Sequence, residues 1–191
     1  MLAREGDLAL RRMRPTDEDF ARLLAWRREP HVRAAWDTDD DEDEFTDGAI
    51  RAVYGPLTDP SDPTVATFIE VDGRPAGYLQ FYPWSAYADE AEAMGVPVDG
   101  GTWGLDIFLG DPSLLASGIG PRAVDLLCRY LQQAHDATRV ALLTAVDNER
   151  AQRAYEKAGM RKAGRRLDLD TRGGVRVDSW LMIRDLDDPS R

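Results

Sequence analysis

The chain has 191 residues, 43% of them hydrophobic, enough for one folded domain with a real core and few enough that a single domain spanning 1–191 is expected. Its net charge of −11 repels phosphates and argues against a nucleic-acid partner, while favouring a small cationic ligand. The single cysteine, Cys128, excludes an internal disulfide and a cysteine-based metal cluster, no metal is expected, no apolar run is long enough for a membrane span, and Met1–Asp7 lacks the apolar core of a signal peptide, so a cytoplasmic protein is expected.

In chain order, Leu8–Met13 reads as a first strand. Pro15–Asp19 starts a helix, with Thr16 as N-cap and acids in the first turn. Phe20, Leu23, Leu24 and Arg27 continue its period, and Pro30 ends it. The run from Asp37 to Glu44 holds seven acids, read either as a solvated loop or as an acidic rim that attracts a polycation. Trp26 and Trp36 stand at the two ends of the first helical region, either as core residues or as a stacking wall for a ligand. A poorly capped helix is expected over 42–54, then a loop over 55–63.

Thr64–Val71 and Pro75–Tyr82 read as paired strands joined by the hairpin dipeptide Asp72-Gly73. On the second strand Tyr78, Gln80 and Tyr82 share a face, as a binding cleft or an exposed sheet surface would require. Residues 84–101 have the composition of a loop, placed to lie over that face. Residues 102–109 form a strand with one carboxylate, Asp106, among apolar neighbours. Gly110–Ser113 breaks the strand, and Gly118-Ile119-Gly120-Pro121 opens a helix whose core face is Ala123, Leu126, Leu127, Tyr130 and Leu131. Such a glycine-bearing turn at a helix N-terminus is either an anion site, implying a phosphate-bearing cofactor beside a polar catalytic edge, or a βα turn whose glycines serve packing alone. A buried strand over 139–146, a helix from Asn148 ending at Gly159, and strands near 161–169 and 175–184 around the turn 171–174 complete the chain.

Two stretches carry a resemblance. The turn at 115–120 resembles the acyl-CoA pyrophosphate loop of the GCN5-related N-acetyltransferases (GNAT). The pattern Asn148-x-x-Ala151-x-x-x-Tyr155-Glu156-Lys157-x-Gly159 resembles their second coenzyme-binding helix. The run Asp106–Leu115 is similar, more narrowly, to the aminoglycoside 6′-N-acetyltransferases of that superfamily, with a weaker match through Trp26, His31, Trp36, Gly77 and Gln80. The resemblance implies an α/β (α+β) GNAT-like domain: a central mixed, mostly antiparallel sheet flanked by helices.

It also implies an acetyl-CoA-dependent transfer to a primary amine of a polycationic acceptor, an aminoglycoside 6′-amine first. Asp106 would be the general base, or else a surface acid. Tyr155 would serve the departing thiolate, or else pack in the core. Coenzyme A would lie against Ile107, Phe108, Leu109, Leu115, Ala116, Ser117, Gly118, Gly120 and Tyr155, with Asn148 touching it or capping its helix. Trp26, Trp36, Gln80, Tyr82 and Asp106 would meet the acceptor. Three positions depart from the pattern. Leu115 replaces the superfamily's usual Gln or Arg, Pro121 removes one N–H donor, and Leu143-Thr144-Ala145 stands where some relatives have a second acid. The alternatives are another amine acceptor (a siderophore precursor, a polyamine or a protein), or binding of an acyl-CoA or cationic drug without turnover. A monomer or homodimer is expected.

Overall fold

The computed structural model describes residues 1–36, 45–172 and 175–186, and the side chains of all of these except 168–172, 175 and 176. The acidic run Asp37–Glu44 lies outside the described residues. Eight strands form one sheet: β1 (Ala3–Glu5), β2 (Leu8–Arg12), β3 (Val65–Val71), β4 (Arg74–Pro83), β5 (Thr102–Leu109), β6 (Arg139–Ala145), β7 (Arg161–Arg172) and β8 (Val175–Asp185). Their order is β1-β2-β3-β4-β5-β6-β8-β7. Every neighbouring pair is antiparallel except β5 and β6. The helices are α1 (Asp17–Arg27), α2 (Pro30–Trp36), α3 (Asp47–Tyr54), α4 (Ala88–Met94), α5 (Ile119–His135) and α6 (Glu149–Lys157).

The period of two splits the strand residues between two cores. Leu8, Leu10, Ile69, Leu79, Phe81, Leu105 and Leu142 face α5, which answers with Ala123, Leu126, Leu127 and Leu131. Tyr155 and Ala158 of α6 join the same cluster. On the opposite face, Phe68, Tyr78 and Phe108 pack under α1 and α3 with Phe20, Leu23, Trp26 and Ile50. Cys128 is buried in the α5 core, and that burial pushes its thiol up to about 11, so it acts as an apolar packing group.

Several local expectations need correction. Pro30 does not merely stop α1; it starts α2 at the first helical position, where its missing N–H has no helical partner to lose. The third helix begins at Asp47, and it is well capped: the Thr46 hydroxyl accepts from the Ala49 N–H at 3.2 Å. Residues 84–101 are not all loop. A 3₁₀ turn at Trp84–Tyr87 leads into α4, which ends on Gly95 in the left-handed conformation (φ +65°). Arg166 of β7 donates to the Met94 carbonyl at 2.7 Å and so satisfies that helix end. The strand β1, three residues long, had no legible signal. At the β3–β4 hairpin Asp72 and Gly73 both have positive φ, +51° and +74°, as a type I′ turn demands.

A buried ion cluster ties α1 to the sheet. Arg11 donates to Asp19 at 2.8 and 3.1 Å and to Glu70 at 2.6 Å. The Asp19 side chain is only 3% exposed. Burial alone would raise its pKa, but the Arg11 guanidinium and the Arg14 N–H more than offset this and hold it below the usual carboxylate range. Asp19 therefore adds stability that is complete above its unfolded value, about 3.9, and is lost as pH falls through the lower folded value. Arg11→Met strands two buried carboxylates and is expected to cost about 3–5 kcal/mol. Urea denaturation near pH 7 reads this directly; a loss below about 1 kcal/mol would show that the cluster does not anchor α1.

Candidate active site

The site follows from one break in the sheet. The strands β5 and β6 pair only at Thr102–Arg139 and Trp103–Val140, then separate. On its other side β5 stays paired with β4 to its end, through Gly77–Leu109. The Gly110 N–H donates to the Ala76 carbonyl at 2.9 Å. Alternation along an antiparallel ladder then turns the backbone of Gly104, Asp106 and Phe108 towards β4. The N–H and C=O groups of Leu105, Ile107 and Leu109 point into the gap that β6 has left.

Side chains alternate in the same way. Asp106, Phe108, Gln80 and Tyr82 lie on the α1–α3 face of the sheet, between those helices and α4. Gln80 and Asp106 are direct cross-strand partners, and Gln80 Nε2 donates to Asp106 Oδ2 at 2.9 Å. The Tyr78 hydroxyl donates to Gln80 Oε1 at 2.9 Å, so the carboxylate ends a line that starts in the core. Asp106 is partly accessible. Burial raises its pKa, and hydrogen bonds from Gln80 and Tyr82 pull it back only in part. Gly104 makes room for this arrangement: a Cβ there would lie 2.4 Å from the Tyr82 ring. Tyr82 stacks edge-on against Trp84 and Tyr87, and Glu90 of α4 is close enough to raise its phenol further after burial and Asp106.

A cavity of 390 Å³ opens where β5 ends, bounded by the loop before α5, by α6 and by α2. Of the residues expected to hold coenzyme A, Ile107, Phe108, Leu109, Leu115, Ala116, Gly118, Gly120, Asn148 and Tyr155 all line it. Ser117 does not; its hydroxyl donates to the Leu114 carbonyl instead. The loop is built for anions. Ala116 and Gly118 both have positive φ, +62° and +87°, and no side chain caps the N-terminus of α5. Backbone N–H groups are thus left to face a ligand at the positive end of a 17-residue helix. A Cβ at Gly118 would meet nothing within 4 Å, so the space over the turn is open. Asn148 Oδ1 caps α6 by accepting from the Ala151 N–H at 3.1 Å, which leaves its amide N–H groups for the cavity. Burial, then Asp106, keeps the Tyr155 phenol protonated far above neutral pH.

The cavity also holds residues that sequence reasoning missed. Arg150, Arg153 and Lys157 of α6 line it, with no carboxylate among the lining residues. In a chain of net charge −11 this is a local reversal of sign, legible from their i, i+3, i+7 spacing on one helix face. His31 and Ala35 reach it from α2. The two tryptophans part ways. Trp26 is 6% exposed and packs against Phe68 and Phe108 in the core, so it presents no ring to an acceptor. Trp36 is half-buried at the end of α2, its ring edge-on to Tyr78 and Phe108. Leu143 is half-buried beside Tyr82 and Trp84, so Asp106 has no second acid from β6.

The strand gap, the loop opening α5 and Asp106 thus lie together at the ends of β4 and β5. The family model for the acetyltransferase (GNAT) domain matches residues 15–167, and the chain belongs to that family of acetyl-CoA-dependent N-acetyltransferases. An aminoglycoside N(6′)-acetyltransferase type 1 from Klebsiella pneumoniae is 28% identical over 152 residues, which are 78% of this chain and 72% of that protein. Among solved structures, AAC(6′)-Ib in complex with ribostamycin and coenzyme A superposes with a TM-score of 0.75 at 24% identity, covering 97% of this chain and 98% of that one. The spermidine N-acetyltransferase of Vibrio cholerae, with CoA and spermine, gives 0.74 at 13% identity over 95% and 97%. Among the described residues, no helix is long and apolar enough to cross a membrane.

Acetyl-CoA at 100 times its Kd is expected to stabilise the protein by about 2.7 kcal/mol. Gly118→Asp places a carboxylate at the helix N-terminus facing the loop and is expected to abolish that gain. A melting curve with and without acetyl-CoA gives the answer, and an unchanged ligand shift in the variant would remove the loop from the binding site.

Proposed function

We propose that the acceptor is a polycationic amine, with an aminoglycoside 6′-amine as the first candidate, and that Asp106 is the base that frees it for attack. The observation that carries this reading is the place of Asp106: on the acceptor face of the sheet, at the mouth of the β5–β6 gap, partly accessible and held by Gln80. The relative from Klebsiella pneumoniae, named for the same chemistry, supports it.

Acetyl-CoA supplies the acetyl group as a thioester. Its phosphates fit the uncapped N–H groups around Ala116, Gly118 and Gly120, with Arg150, Arg153 and Lys157 as counter-charges. An ammonium has no lone pair, so Asp106 takes one of its protons, directly or through a water, and its carboxylate also attracts the incoming cation. The N–H group of Ile107, which has no strand partner among the described residues, suits the oxygen on which negative charge develops. Tyr155, kept protonated, donates a hydrogen bond to the departing sulfur. Gln80, Tyr82 and Trp36 form the acceptor wall, with the acidic side chains of Asp89, Glu90 and Glu92 exposed on and beside α4.

Asp106→Asn is expected to lower kcat/KM by about two to four orders of magnitude while acetyl-CoA affinity holds. The base must be ionised, so activity falls as pH drops through the Asp106 pKa. Since that pKa is raised, the acid limb of kcat/KM lies above the ordinary carboxylate value of about 4. Gln80→Leu removes a bond that favours the ionised form, so the limb moves to still higher pH. A pH profile unmoved by Gln80→Leu, or near-normal turnover in Asp106→Asn, excludes this base.

The acceptor is tested by thiol release from acetyl-CoA against aminoglycosides, polyamines and monoamines. For a multiply charged aminoglycoside, kcat/KM should drop as salt rises from 0.01 to 0.15 M, where the Debye length shrinks from about 30 to about 8 Å, while kcat holds. If only polyamines turn over, the spermidine-type reading replaces the aminoglycoside one.

A further inference from the structure

The open edge of β5 is closed at one point. His31 of α2, half-buried and lining the cavity, places its Nε2 2.8 Å from the Leu109 carbonyl oxygen. A carbonyl only accepts, so Nε2 carries the proton of this bond and His31 is its donor. Leu109 is the last residue of β5, and its C=O points into the gap by the alternation fixed at Gly110. Of the edge carbonyls at 105, 107 and 109, it alone has a side-chain partner among the described residues. It lies about 10 Å along the strand from Asp106, on the way to the anion loop. The ring therefore sits beside the stretch that an extended acyl-CoA arm must cross between thioester and phosphates.

We propose that His31 is a positioning residue for the donor: through Leu109 it fixes the end of β5 and sets the register in which the distal amide of the pantetheine arm lies along that strand. The proposal rests on the reading of the cavity as the acyl-CoA slot. By taking the Leu109 carbonyl, His31 leaves the Leu109 N–H as the last free group of the edge, so an arm amide docks there in one direction only. α2 is thereby held to the slot by a side chain at its start, while Trp36 at its end borders the acceptor face.

The test is steady-state kinetics with three thioesters of decreasing length: acetyl-CoA, S-acetyl-pantetheine and S-acetyl-N-acetylcysteamine. His31→Ala should raise KM for the first two about three- to tenfold, the size of one lost hydrogen bond, with kcat within twofold. The shortest thioester, whose single amide stops short of Leu109, should show no change. His31→Gln, which can donate to the same carbonyl, should recover most of the loss, and His31→Phe, which fills the space without a donor, should not. The Gln and Phe variants carry the comparison if His31→Ala does not fold. An unchanged KM for acetyl-CoA in both His31→Ala and His31→Phe overturns the proposal, as does an equal rise with the shortest thioester. Gly118→Asp separates the two failures. If it leaves acetyl-CoA binding intact, the slot reading fails; if it abolishes binding while the His31 variants behave as wild type, only the role of His31 fails.

Discussion

The structure depends on a strand edge left without a neighbour. A sheet interior normally satisfies every backbone N–H and C=O, and an unpaired edge inside a domain has to be satisfied in some other way. Here β5 and β6 start as a parallel pair and part after two residues, while β6 stays paired along its whole length with β8 on its other edge. Tyr155 and the rest of α6 pack beside the gap on one face, while Asp106 stands on the other. A ligand with amides of its own would complete such an edge.

The acid beside the gap is kept at a cost. Desolvation disfavours its charge, yet Gln80 supplies a hydrogen bond to the ionised form and is itself oriented by the buried Tyr78. Gln80 and Tyr82 both hydrogen-bond this carboxylate, and Tyr78 orients Gln80 from the core. Burial outweighs those bonds and leaves the group more basic than a carboxylate in water. The cavity lined by Arg150, Arg153 and Lys157 thus stands as a cationic patch in a chain of net charge −11.

How much of this could be read beforehand depended on the range of the interactions. The Asp72-Gly73 turn, the Asn148 cap and the face of α5 are local, and each was legible within a few residues. The motif residues at 106–120 and 148–159 pointed to the family, which the family model over residues 15–167 shows. Three features were out of reach. α4 is seven residues long, and its last carbonyls are satisfied by Arg166, 72 positions away from Met94 in sequence. Trp26 lies against Gly110, just past the end of β5 and distant in sequence, and nothing local to Trp26 signals that contact. His31 lies outside the strand in sequence, and only the fold brings it to the Leu109 carbonyl, 78 positions further on.

Gly110 and Trp26 carry one more consequence. A Cβ at Gly110 would lie 2.1 Å from the indole, well inside van der Waals contact, and the indole is wedged among Phe68 and Phe108 with no room to retreat. The two positions therefore cannot drift independently. A side chain at 110 becomes admissible only after 26 has shrunk, and a smaller residue at 26 opens a void that a larger 110 could fill. Their histories are coupled by volume: the path from one pairing to the other passes through a sequence that is either overfilled or hollow, at the very point where the first helix leans on the end of the donor strand.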